Sequence, residues 1–181
     1  RQKCGEICCF INIMNDKIYI KSITGENIMD VFKWYNMTDI FKFATGMDRP
    51  TTIDALVKMH IEALASSNEF FLGIYVQKKG TLIGLLKGML RNEKDGIAWI
   101  KLIVIDPSYQ RMGYGSSAVS LFLDYLGNRT RIRNVYLTVV EDNIGGIAFW
   151  KKQQFSELMR IEKCVAFNDK LHNILIMHRN I

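Results

Sequence analysis

The chain has 181 residues, 49% of them hydrophobic and 23% charged, a length and balance that predict one globular domain with a sizeable core and exclude disorder. No run of about 18 apolar residues and no signal-peptide pattern occurs, so no membrane partner and a cytoplasmic location are expected. The net charge of +6 favours an anionic partner, yet basic residues are scattered, which fits a phosphorylated small molecule better than nucleic acid.

Residues 17–23 alternate as a strand, and 26–36 read as a helix carrying Ile28, Val31, Phe32 and Tyr35. A loop is predicted over 38–49. Pro50 then precedes a second helix, with Thr51 three residues before Asp54 and an apolar stripe of Ile53, Leu56, Val57, His60, Ile61 and Leu64. His60 reads as a core-edge histidine. Three strands follow over 70–77, 81–90 and 97–105, joined by the short turns 78–80 and 92–96, which imply an antiparallel meander. The third is almost continuously apolar and belongs in the sheet centre. Asp106-Pro107 ends it, because proline lacks a ladder donor.

A helix is predicted over 116–126, with Gly127 as its stop, and 134–140 forms another buried strand. A strand, helix, strand crossover of this size makes the two strands parallel. Asn143 caps a further helix to Lys152, and strands over 157–165 and 170–178 finish the chain. Cys4, Cys8, Cys9 and Cys164 form no CxxC pair and no paired His spacing accompanies them, so reduced thiols and no metal site are expected.

Gln110-Arg111-Met112-Gly113-Tyr114-Gly115 lies between an apolar strand and an amphipathic helix. A helix start carries unpaired N–H groups and a positive dipole end, and two glycines let an anion approach the main chain. The stretch therefore points to a phosphate-bearing ligand. Gly113 to Ala118 also scans as the GxGxxA of a dinucleotide-binding oxidoreductase, with Glu141 after the next strand. Against that alternative, Asp106 to Met112 separate the motif from its strand, and the preceding strands form an antiparallel meander.

The order of elements, with Ile105-Asp106-Pro107, Gln110, Gly113, Gly115, the strand 135–140, Asn143 and Phe155, resembles the GNAT superfamily of N-acetyltransferases. The detailed match runs from Ile97 to Phe155. The resemblance implies a mixed α/β (α+β) fold: a mostly antiparallel central sheet of about seven strands with a splayed parallel pair, flanked by about four helices. It implies acetyl-CoA as co-substrate, bound by a core over 97–155, with the helices and loop of 24–66 on the acceptor side. Main-chain groups of Ile103, Val104 and Ile105 would meet the pantetheine arm and thioester. Those of Arg111, Met112, Gly113, Tyr114, Gly115 and Ser116 would hold the pyrophosphate, and the Asn143 side chain would touch the arm.

The residues of the chemistry depart from the family. Trp99 stands near the position where many members carry a Glu, and Trp150 stands where many carry a Tyr that protonates the thiolate; an indole N–H donates hydrogen bonds but is no usable acid. Glu141, beside Asp142, is the candidate water-relayed base, and Tyr114 and His172 reach the cleft only if their loops permit. Phe149, Trp150 and Trp99 are candidates for an apolar wall around the thioester. On the acceptor side Trp34, Tyr35, Asp39, Phe41, Phe43 and Asp48 suit a small or peptide-borne amine. A domain that binds CoA without transferring anything remains the alternative, and monomer and homodimer are both open.

Overall fold

The computed structural model describes residues 11–91, 96–167 and 170–181. Cys4, Cys8, Cys9 and residues 92–95 of the expected turn lie outside them. The strands are β1 (Asn12–Met14), β2 (Ile18–Ser22), β3 (Glu69–Val76), β4 (Leu82–Arg91), β5 (Ile97–Ile105), β6 (Asn134–Val140), β7 (Ser156–Phe167) and β8 (Lys170–Asn180). The α-helices are α1 (Ile28–Tyr35), α2 (Thr38–Thr45), α3 (Ile53–Ala65), α4 (Tyr114–Arg129) and α5 (Ile144–Lys152). Among the described residues no helix is long and apolar enough to cross a membrane.

All the strands join one sheet of order β1-β2-β3-β4-β5-β6-β8-β7. Among the described residues only β5 and β6 run parallel, as the crossover through α4 requires; every other described pair is antiparallel. The mixed, mostly antiparallel sheet matches the expected class, enlarged by the short β1. One core packs α4 and α5 on the sheet through Phe122, Leu126 and Trp150 with Phe70, Ile100 and Val135. A second packs α1, α2 and α3 on the opposite face through Val31, Trp34, Phe41 and Leu56 with Phe71 and Leu85.

Strand β5 serves both cores. Ala98 and Ile100 belong to the first, Leu102 and Val104 to the second, although all four have even numbers. A register shift explains the change of face: Gly88 pairs with Ile100 but Lys87 with Leu102, so Lys101 is the extra residue of a bulge.

Four local expectations need correction. The expected loop 38–49 contains α2, because Phe41 gains burial against β5 and the helix ends on Gly46 at φ 72°, a left-handed cap. The α3 cap is Thr52, not Thr51: its hydroxyl accepts from the Ala55 N–H at 3.2 Å. The buried side of α3 is Leu56, His60 and Ala63, and Val57, Ile61 and Leu64 of the expected stripe are exposed. Helix α4 also runs through Gly127 to Arg129, where the Thr130 hydroxyl donates to the Leu126 carbonyl at 2.6 Å.

Candidate active site

Strands β5 and β6 pair only from Ile97–Asn134 to Ile100–Leu137 and then part. Past Ile100 one edge of β5 stays bonded to β4, while the other opens into a cleft of about 730 Å³. Ile103 and Ile105 point into this cleft, whereas Val104 is buried in the core beneath α1, α2 and α3. The side chain of Gln110 donates to the Ile105 carbonyl at 2.8 Å and fixes the end of the strand.

The mouth is the turn into α4. Arg111 (φ 61°) and Gly113 (φ 79°) both take the left-handed conformation, which costs a non-glycine residue roughly 1–2 kcal/mol. Strain of this kind gathers at functional sites. The first bond of the helix runs from the Ser117 N–H to the Gly113 carbonyl at 3.0 Å, so the amides of Tyr114, Gly115 and Ser116 have no acceptor within the helix. Gly115 keeps the floor open: a Cβ there would lie 3.3 Å from the Phe149 ring. Met112 is exposed, and its carbonyl accepts from Lys17 Nζ at 2.5 Å.

The opposite wall is one face of α5, formed by Gly145, Ala148, Phe149 and Lys152 at helical spacing. Asn143 starts this helix, its side-chain oxygen accepting from the Gly146 N–H at 2.9 Å. The walls are tied together by buried Gln153, whose Nε2 donates to the Ser116 hydroxyl at 2.9 Å. Phe41 reaches the cleft from α2, on the far face of the sheet. Tyr109 and Tyr114 meet edge to face in its rim, with ring centres 6.0 Å apart.

Other sequence candidates lie elsewhere. Trp150 is buried between Phe149 and Phe155 in the core. Trp99 stacks on Tyr136 (ring centres 5.2 Å), away from the cleft lining. Trp34 and Tyr35 are core residues, and Trp34 Nε1 donates to Asp106 at 2.9 Å. Burial alone would raise the Asp106 pKa, but bonds from Trp34 and Ser108, with the charge of Lys33, hold it below the usual value. Phe43 packs by Val140 and Ile174. Glu141 is gripped by Arg160 at 2.7 and 3.0 Å and by Asn173 at 2.6 Å. The Arg160 hydrogen bonds first, then that of Asn173, pull the Glu141 pKa down to about 2. Asp142 is paired with His172.

The model described as "Acetyltransferase (GNAT) family" matches residues 30–155. The chain belongs to the GNAT family. This GNAT chain is 26% identical over 89 residues to the spermine/spermidine N(1)-acetyltransferase of Bacillus subtilis (strain 168), an alignment covering 46% of the chain and 57% of that relative. A spermidine N-acetyltransferase from Vibrio cholerae, crystallised with CoA and spermine, superimposes with a TM-score of 0.82 at 17% identity, over 92% of this chain and 96% of that one. An acetyl transferase from Salmonella typhimurium that modifies the N-terminal serine of a 50S ribosomal subunit protein gives 0.79 at 15%, over 92% and 96%. Both structural likenesses speak to the GNAT fold.

Sequence reasoning named Phe41 on the acceptor side but missed Tyr109 and Lys152 in the cleft lining and Lys17 at the turn beside it. The Gly145, Ala148, Phe149, Lys152 face was legible once Asn143 fixed the start of α5. Lys17 carried no local signal, because it is brought to the turn by the sheet.

Proposed function

We propose that the cleft binds acetyl-CoA and that the protein is an N-acetyltransferase, moving the acetyl group to a primary amine by direct attack in a ternary complex. The observation that carries this reading is the unpaired β5 edge past Ile100, running into a cleft that ends at the start of α4. A free strand edge suits an amide-bearing arm, and free helix-start amides suit a diphosphate. Acetyl-CoA would supply the activated thioester.

The main chain of Ile103, Val104 and Ile105 would pair with the arm, and that of Arg111 to Ser116 would hold the diphosphate. Asn143 would offer its Nδ2 to the arm, since its oxygen already caps α5. Phe149 would exclude water beside the thioester. Residues 97–155 form the donor core and 24–66 the acceptor side of a single domain over 1–181.

Transfer forms an N–C bond, breaks the C–S bond and moves one proton from nitrogen to sulfur overall. A lysine-like amine with a pKa near 10.4 stands about three units above neutrality, so neutralising it at pH 7 costs roughly 4 kcal/mol. Glu141, held at about 2, is a poor base at neutral pH, and in this mechanism it organises β7 and β8 instead. The Trp150 indole N–H is no usable acid. The chain's contribution is juxtaposition of amine and thioester, with water carrying the protons.

The relatives' names point to polyamines and peptide N-termini as the acceptors to try, entering beside Phe41. Incubation with acetyl-CoA and spermidine, spermine, amino acids or short peptides, with free thiol recorded, tests the reading. Thiol release no faster than without acceptor would sink the transferase claim. Binding of CoA in the same preparation would then leave the non-catalytic alternative.

A further inference from the structure

The hairpin β1–β2 lies outside the matched residues 30–155, yet it grips the turn at the mouth of the cleft. Asn15 shapes its tip, accepting through Oδ1 from the N–H groups of Lys17 and Ile18, both at 2.9 Å. The same side chain donates through Nδ2 to the Ser117 hydroxyl at 3.1 Å. Lys17 is thereby aimed at the turn: its Nζ donates to the Met112 carbonyl at 2.5 Å, lies 4.8 Å from the centre of the Tyr114 ring, and would be 3.2 Å from a Cβ at Gly113. An ammonium has three donors, and one carbonyl uses one of them.

Charge balance marks the place as unusual. Lys101, Lys151 and Arg160 are each paired with a carboxylate, but among the described residues none lies within 4.0 Å of Lys17, Arg111 or Lys152. Arg111 and Lys152 line the cleft, and Lys17 stands at the turn that opens α4, on the Met112 carbonyl. Unneutralised cations around a helix start concentrate positive potential where an anion would sit.

We propose that Lys17 is a phosphate-binding residue of the donor site, delivered by the N-terminal hairpin to the diphosphate of the nucleotide half of CoA. The proposal rests on the donor reading given above. Lys17 keeps the Met112 carbonyl and offers its remaining donors to phosphate oxygens, so the hairpin locks the turn and completes the charge of the site together. A charged hydrogen bond of this kind is worth about a tenfold change in affinity.

The test is calorimetric titration of the full chain with CoA, repeated with pantetheine, which lacks the nucleotide. Lys17→Gln retains an amide that can donate to Met112 but removes the charge; Lys17→Arg retains the charge. The expected result is CoA affinity about tenfold weaker for Lys17→Gln, largely restored in Lys17→Arg, with a shallower salt dependence and unchanged pantetheine affinity. Lys17→Gln binding CoA as tightly as the natural chain, or losing pantetheine equally, would overturn the assignment and leave Lys17 a structural clasp. A natural chain that binds no CoA would overturn the donor reading and this assignment with it.

Discussion

Replacing Gly115 by valine separates stability from donor binding. A Cβ at this position would stand 3.3 Å from Phe149 Cε2, 3.5 Å from its Cζ and 3.6 Å from Ile105 Cγ1, so alanine fits with a shift of a few tenths of an ångström. The two further methyls of valine extend between Ile105 and Phe149, into the space assigned to the arm. Overpacking of this kind costs about 1–3 kcal/mol, and at the upper end the donor is held roughly a hundredfold less tightly. Glycine is a poor helix residue by about 1 kcal/mol, so the free protein loses little or nothing. At a CoA concentration 100 times the natural dissociation constant, the natural chain gains about 2.7 kcal/mol and the variant only about 0.4. For a chain of this size those figures correspond to Tm shifts of roughly 5–11 °C and 1–2 °C. Thermal unfolding with and without CoA reads both quantities in one experiment. A Gly115→Val protein that keeps the full CoA shift would show that the donor does not pass this floor.

Glu141→Gln should leave turnover and its pH profile unchanged; loss of the rising limb near neutrality would restore this carboxylate as the base. Turnover per molar acceptor should climb with pH toward the acceptor's own pKa, measured by thiol release at fixed ionic strength. Gln154 adopts φ 63° just past the end of α5, so Gln154→Gly should raise stability by about 0.5–1 kcal/mol in urea unfolding, and a loss would contradict strain there. His60 is buried with no hydrogen-bond partner for Nδ1 among the described residues, and burial lowers its pKa. The unfolded chain therefore binds the extra proton first, and stability should fall as pH drops through the ordinary histidine value near 6.5. His60→Leu should flatten that fall, as followed by denaturant midpoints between pH 7.5 and 5.5; a curve matching the natural chain would exclude His60 as its source.

The elements that line the cleft were legible because their signals are local. A continuous apolar strand, a proline stop, two glycines and an asparagine cap mark β5, the turn and α5 without help from distant residues. Helix α2 was not, because Met37 offers no side-chain cap and the segment is stabilised by laying Phe41 on the sheet. The Lys101 bulge is equally silent in sequence, since it moves Leu102 and Val104 to the other core without changing any residue type. The sequence marks Trp99 and Trp150 only as residues at two positions, and their surroundings, a ring stack on Tyr136 and a buried aromatic cluster, are tertiary facts. The same holds for Glu141: sequence places a carboxylate at a strand end, and only the fold brings Arg160 and Asn173 to it.

The short run of pairing between β5 and β6 also has a mechanical meaning. At the centre of the sheet, among the described residues, β1 to β5 pair with β6, β8 and β7 only from Ile97–Asn134 to Ile100–Leu137, so the two halves of the sheet are joined at one end of a seam. A ligand strand laid along β5 would occupy the unzipped end and brace the halves. Donor binding would then slow amide exchange along the seam as well as at the contacts themselves, and acceptor entry over α2, which lies against both β5 and β6, would meet a stiffer frame with the donor in place than without it.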